Sequence, residues 1–211
     1  MDETISPEEC GLIGAYLGDG HIYKRNRKYI IGFTGNPITD ARYFENLSRL
    51  IYFAWGREVK PKFRERAVRI KFDSKPIVER LTTKFRLPFH KGKCAMAKIP
   101  AEIEADWELA KHAILGIVDT DGSVFVADKP GSPKYPSIEI TTTSRRLAEQ
   151  LKELLSLAGF HVAKIWRYKS KVSSLDAYKV PLNGRVNLNK WLAEIGFSSP
   201  YKLARAMAAA K

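Results

Sequence analysis

Leu12-Ile13-Gly14-Ala15-Tyr16-Leu17-Gly18-Asp19-Gly20 and Ile114-Leu115-Gly116-Ile117-Val118-Asp119-Thr120-Asp121-Gly122 repeat one pattern: two apolar residues, a glycine, three further residues, a variable position, then Asp-Gly. Asp19 and Asp121 stand 102 residues apart in a chain of 211. A repeat at half the chain length reads as two related structural units, and it has to be recognised before any single element is assigned.

The residues after each copy match as well. A strand-like run at His21–Tyr23, a basic turn and a second strand near Tyr29–Thr34 precede an apolar-periodic helix carrying Phe44, Leu47, Leu50 and Ile51. The second copy leads through Ser123–Val126, a turn-rich stretch at Asp128–Pro136 and a strand at Ser137–Thr142 to a helix with Leu147, Leu151, Leu154 and Leu155. Gly56 and Gly159 stand where left-handed caps are expected. Each half adds a hairpin, near 59–64 and 68–73 or near 162–168 and 177–182, and a closing helix, from Pro76 or over Leu188–Ile195. The expected fold is α+β: two pseudo-symmetric αββαββα halves, residues 1–98 and 99–211, each an antiparallel sheet with helices on one face. The joint is expected near Ala95–Ala105, where Ile99-Pro100 favours extended backbone.

Ser6-Pro7-Glu8-Glu9 is a helix start with an N-cap, a proline at the first position and an acid placed for a capping box. Along this helix Gly11, Gly14, Ala15 and Gly18 form a small-residue stripe. Each interior glycine costs about 1 kcal/mol of helix propensity relative to alanine, so a close contact is implied. The partner is the equivalent helix over about Asp106–Val118, whose Gly116 matches Gly14. That packing would set Asp19 and Asp121 side by side. Acids at two helix C-termini meet the negative end of the macrodipole, so a cation must compensate. Asp19, Asp121 and the exposed carbonyls of Gly18 and Thr120 make an oxygen set suited to Mg2+, with Mn2+ as an alternative.

The chain carries 36 Lys and Arg against 23 acidic residues, a net charge of +13, which points to a polyanionic partner. Residues 1–100 hold 20 basic and 11 acidic side chains and residues 101–211 hold 16 and 12, so the first half should grip phosphates harder. Lys60, Lys62 and Arg64 alternate with Val59, Pro61 and Phe63, and Arg69 and Lys71 alternate with Val68, Ile70 and Phe72. One face of such a ribbon is charged and the other apolar. In the second half Glu139 and Thr141 alternate with Ile138 and Ile140, and Lys179 with Tyr178 and Val180. Ribbons of this kind fit the DNA major groove. The candidate DNA-contacting residues are Tyr23, Arg25, Arg27, Lys60, Lys62, Arg64, Arg69, Glu139, Thr141 and Lys164.

No run approaches the roughly 18 apolar residues of a membrane span. The acidic start Met1-Asp2-Glu3 is neither a secretory signal nor a transit segment, which leaves cytoplasm and organelle equally open. Cys10 and Cys94 lack any zinc or disulfide spacing and are expected to be buried. The four histidines show no mutual spacing of a site, and His21 is expected to be a polar-face or structural residue.

The two segments resemble the motifs of LAGLIDADG homing endonucleases in their single-chain, two-motif form, across essentially the whole chain. The resemblance implies a monomer with an internal pseudo-twofold axis and two saddle-like sheets straddling a long, weakly palindromic double-stranded DNA site. It implies metal-dependent hydrolysis of both strands, with the acids at the eighth motif position, Asp19 and Asp121, as catalytic residues. It further implies a basic residue near the end of each half's last strand, matched by Lys71 and Lys179, and a water-positioning polar residue, matched by Asn36 and Thr142. Asp119, opposite Leu17, is not expected to be essential. The alternatives are an intron maturase that binds RNA and a non-catalytic DNA-binding regulator on the same scaffold. A self-splicing protein is not expected, since the two repeats leave no length for a splicing module.

Overall fold

The computed structural model describes residues 4–90, 92–129, 131–169 and 175–210, apart from the side chains of residues 132 and 133. Of the turn expected over 128–136, residue 130 lies outside the described residues. The first unit runs α1 (Pro7–Leu17), β1 (Gly20–Arg25), β2 (Lys28–Gly35), α2 (Ala41–Trp55), β3 (Lys62–Arg64), β4 (Ala67–Asp73) and α3 (Lys75–Glu79), which continues as a π-helical turn over Arg80–Lys84. A 3₁₀ turn at Lys93–Met96 and α4 (Ala101–Glu104) lead to the second unit. That unit runs α5 (Trp107–Asp121), β5 (Gly122–Lys129), β6 (Ser132–Thr142), α6 (Arg145–Leu157), β7 (Trp166–Lys169), β8 (Asp176–Asn183) and α7 (Arg185–Glu194), followed by α8 (Pro200–Ala210).

The two sheets are antiparallel, with strand orders β1-β2-β4-β3 and β5-β6-β8-β7. Their registers superpose: Gly20 pairs with Phe33 and Gly122 with Ile140, so each strand after the motif starts at the same point of its sheet. Ile22, Ile31, Phe33, Val68 and Ile70 turn inward in one sheet, and Val124, Ile138, Ile140, Val180 and Leu182 in the other, against α2 and α6. The first hairpin turns on Asn26 and Arg27, both at positive φ (52° and 60°), the conformation a tight two-residue turn needs.

Ser6 caps α1, its hydroxyl accepting from the Glu9 amide at 3.1 Å. Glu9 does not complete the capping box. Its carboxylate is buried and accepts instead from Trp55 Nε1 (3.2 Å), Arg80 Nε (2.7 Å) and Arg80 Nη2 (2.8 Å), tying α1 to α2 and to the π-helical turn. A buried guanidinium offers a better-matched donor set than one backbone amide. The strand expected from Val59 is shorter, Lys62–Arg64, and Phe63 is 53% exposed. β3 is an edge strand with no helix behind this residue to cover it. Cys10 is buried as expected, but Cys94 is exposed, because the 3₁₀ turn that carries it lies at the surface. The connection between the units is stitched to α6: Gln150 pairs with both backbone groups of Ile99, and the Ser144 hydroxyl donates to Ala97 O at 2.6 Å. Among the described residues no helix is long and apolar enough to cross a membrane.

Candidate active site

α1 and α5 cross through their small residues. A β-carbon on Gly14 would overlap the Ala113 carbonyl oxygen, and one on Gly116 would overlap the Gly11 carbonyl oxygen and stand 2.7 Å from the Ala15 nitrogen. These contacts are mirror images, since Ala113 is the counterpart of Gly11. Where the helices end, a β-carbon on Gly18 would meet the Thr120 hydroxyl and stand 3.2 Å from Asp121 Oδ2. The glycine stripe thus lets the backbones close until the Asp121 carboxylate lies over the end of α1, beside Asp19.

Burial raises the pKa of Asp19, and the nearby Asp40 raises it further, against Lys202 and Lys93. Asp121 is pushed up to about 7, first by burial and then by Asp19, again opposed by Lys93 and Lys202. The two acids repel each other here, Asp19 exposed to solvent and Asp121 half-buried beside it.

The cation that two helix C-termini demand is supplied by the chain. Lys93 Nζ donates to Tyr16 O (2.6 Å), Gly20 O (2.6 Å) and Gly18 O (3.2 Å) at the end of α1. Lys202 Nζ donates to Val118 O (2.7 Å), Asp119 O (2.7 Å) and Thr120 O (3.1 Å) at the end of α5. Burial lowers the pKa of both lysines, and the acids of the site oppose that shift. The Gly18 and Thr120 carbonyls therefore each accept from a lysine already and keep one lone pair for a further ligand.

The expected lysines, Lys71 and Lys179, stand on the sheets. Lys71 faces Gly32 across β2 and β4, but the residue at the same register in the second sheet is Pro181, opposite Glu139. Lys179 lies opposite Thr141 and so matches Arg69, and its ammonium is held by Glu139 at 2.6 Å. Asn36 and Thr142 are occupied too: the Asn36 side-chain oxygen accepts from the Ile38 and Thr39 amides, and the Thr142 hydroxyl from the Ser144 amide. Both order turns. Asp119 is 3% exposed and accepts from the Ser198 (2.9 Å) and Ser199 (3.0 Å) amides, so it ties the end of α5 to the start of α8.

The remaining candidates spread over the outer sheet faces. His21, Tyr23 and Arg25, then Arg69 and Lys71, then Lys62 and Arg64 share the exposed face of the first sheet, with Arg27 at its hairpin tip. The His21 ring lies over Gly32; burial, with Lys71, Lys93 and Arg69 nearby, lowers its pKa. In the second sheet Glu139, Thr141 and Lys179 share the corresponding face with Trp166, which is 67% exposed and which sequence reasoning missed. Lys60 and Lys164 are exposed in the segments that precede β3 and β7.

Residues 108–196 match the model of a LAGLIDADG-like domain. By sequence the second unit, with its motif helix, belongs to the LAGLIDADG family, and the first unit repeats that unit's motif and sheet order. Its backbone superposes on the crystal structure of I-DmoI in complex with DNA and Mn with a TM-score of 0.62, at 14% identity, over 92% of this chain and 98% of that one. The LAGLIDADG meganuclease I-AabMI, bound to uncleaved DNA, gives a TM-score of 0.59 at 12% identity over 98% of this chain and 90% of that one. Among curated proteins, the replication factor C small subunit of Thermococcus kodakarensis is 32% identical over 196 residues, 92% of this chain and 20% of that protein. The protein of the same name from Methanocaldococcus jannaschii is 26% identical over 207 residues, 97% of this chain and 10% of that protein. The chain thus spans a fifth or less of these relatives. Because the matched stretch sits there inside a much longer protein, chain length is no argument against a splicing module.

Proposed function

We propose that this LAGLIDADG protein is a site-specific endonuclease that hydrolyses both strands of a long, weakly palindromic DNA target as a monomer. The observation that carries the reading is the meeting of Asp19, Asp121, Lys93 and Lys202 at the ends of two helices packed through glycine. A structural role alone would not select acids where the helix dipole and burial both oppose them.

The donor set suits a divalent cation. Among the described residues no cluster of three or more His, Cys, Asp or Glu side chains could hold a metal. The protein therefore offers two carboxylates with the Gly18 and Thr120 carbonyls, all hard oxygens, and leaves positions for water and phosphate, as Mg2+ prefers. When bound, such ions supply Lewis-acid stabilisation of the phosphoryl oxygens and a more acidic water. Asp19 and Asp121 would hold the ions, and the neutralised pair would then no longer need to share a proton. Lys93 and Lys202 hold the two carbonyl rims in place, and their fixed positive charge favours the negative charge that builds on phosphorus. The outer sheet faces, with Tyr23, Arg25, Arg27, Lys62, Arg64, Arg69, Lys71, Glu139, Thr141 and Trp166, would track the duplex to either side, helped by Lys60 and Lys164.

Incubation with a randomised duplex library, with Mg2+ and with Ca2+ as control, tests the reading. Paired breaks at one recovered sequence, abolished in Asp19→Asn and in Asp121→Asn while binding persists, are expected. Tight duplex binding without breaks under either metal would instead identify a non-catalytic DNA-binding protein.

A further inference from the structure

The two buried lysines are placed by unlike devices. Lys93 sits on the Tyr16 ring, its Nζ 4.6 Å from the centroid, while the Tyr16 hydroxyl donates to Pro88 O at 2.6 Å and so ties the segment before Lys93 to α1. The counterpart of Tyr16 in α5 is Val118, which can do neither. In the second unit Asp119 holds the start of α8 through the Ser198 and Ser199 amides, three residues before Lys202, and the counterpart of Asp119 in α1 is Leu17. Each anchor is buried, and each serves one lysine.

We propose that Tyr16 and Asp119 are positioning residues that set Lys93 and Lys202 independently, so that each controls one of the two strand cuts. The inference rests on the endonuclease reading for its consequence but not for its geometry. An Asn at position 119 keeps the shape, yet its amide group presents a donor to one of the two backbone amides, so one bond is lost and α8 loosens. A Phe at position 16 keeps the ring under Lys93 but releases Pro88. A merely structural role would weaken both halves of this interlocked core together.

Two measurements on the full chain separate these cases. In the first, both lysines are acylated with an amine-selective reagent and quantified by peptide mass spectrometry, with melting temperature as the folding control. Asp119→Asn should raise labelling of Lys202 about tenfold with Lys93 little changed, and Tyr16→Phe should do the reverse, each corresponding to about 1.4 kcal/mol of local opening. Equal change at both lysines, or none, overturns the proposal whether or not the protein cuts DNA. In the second, the duplex recovered from the library is labelled on either strand. Asp119→Asn should lose the strand lost in Lys202→Met, and Tyr16→Phe the strand lost in Lys93→Met, leaving nicked product. A uniform fall in both cuts would overturn the proposal. Absence of any cut by the parent protein would sink the endonuclease reading alone, and the labelling result would still decide the anchors.

Discussion

Asp121 shows how a site asserts itself against stability. Burial and Asp19 raise its pKa from 3.8 to about 7 in the fold. The native chain therefore binds this proton more tightly than the unfolded chain does. The stabilisation is complete below the unfolded pKa and is lost as pH rises through the folded one. With divalent ions chelated, thermal unfolding should show stability falling from pH 4 to pH 8, and Asp121→Asn should flatten that fall and melt higher at pH 8. The gain should be about 2–4 °C for each kcal/mol of repulsion relieved. Added Mg2+ should raise the melting point of the parent and leave that of the variant nearly unchanged. Glu9 is the contrasting case, an acid that holds the fold: Glu9→Ala leaves Arg80 and Trp55 Nε1 without their shared acceptor in the interior. A loss of about 3–5 kcal/mol by urea unfolding is expected, as for other buried pairs broken on one side. The carboxylates were legible in sequence because a repeat doubles the signal for Asp19 and Asp121. The lysines were not, since Lys93 and Lys202 lie on segments that share no motif and reach the site only through tertiary packing.

At the scale of elements, hydrophobic period and caps located α1, α2, α5, α6 and α7 to within a few residues, because an apolar stripe with a capping residue admits few other solutions. α5 runs three residues beyond the expected Val118, to Asp121, and ends on Gly122 as its C-cap. The missed element was α8. Ser199-Pro200 offers the same start as Ser6-Pro7, yet the alanine-rich run behind it has a weak apolar pattern, and its place is fixed by Asp119 and Lys202 in the folded chain. The crossing of α1 and α5 allows a direct test. Leucine at position 14 would have to displace the Ala113 carbonyl, and at position 116 the Gly11 carbonyl, both backbone atoms on a partner helix. Overpacking of a close helix contact costs at least about 1–3 kcal/mol, and more where backbone must move. Gly14→Leu and Gly116→Leu should each lower the urea midpoint and abolish cleavage, whereas Gly56→Asn, at a free left-handed cap, should leave both nearly intact. A fully stable and active Gly14→Leu protein would contradict the crossing itself.

Across the whole molecule the two polar faces are built alike but charged differently, and the difference lies in their pairing as well as their number. On the polar face of the second sheet Lys179 is held by Glu139 at 2.6 Å, and the uncharged Trp166 stands opposite it, where the first sheet has Lys62. In the first, Lys62, Arg64, Arg69 and Lys71 carry no ion pair among the described residues, and Lys62 and Arg69 stand opposite each other across β3 and β4. Cations with no carboxylate beside them are the ones able to displace counterions from a phosphate backbone, whereas a lysine already held by a carboxylate must first release it. Removing Lys62 and Arg69 together should therefore lower the slope of log binding constant against log salt by about 2, one for each phosphate left without its cation. The matching pair in the second sheet, Trp166→Ala with Lys179→Ala, should change the slope by less than about 1 on the same scale, because Trp166 carries no charge and Glu139 holds Lys179 back from the phosphates in the parent protein. Fluorescence anisotropy of a 30-base-pair duplex, titrated from about 50 to 300 mM salt, reads both slopes. Equal slope changes for the two double variants would mean that the second sheet opens its Lys179–Glu139 pair on the DNA and that the two halves grip the backbone equally.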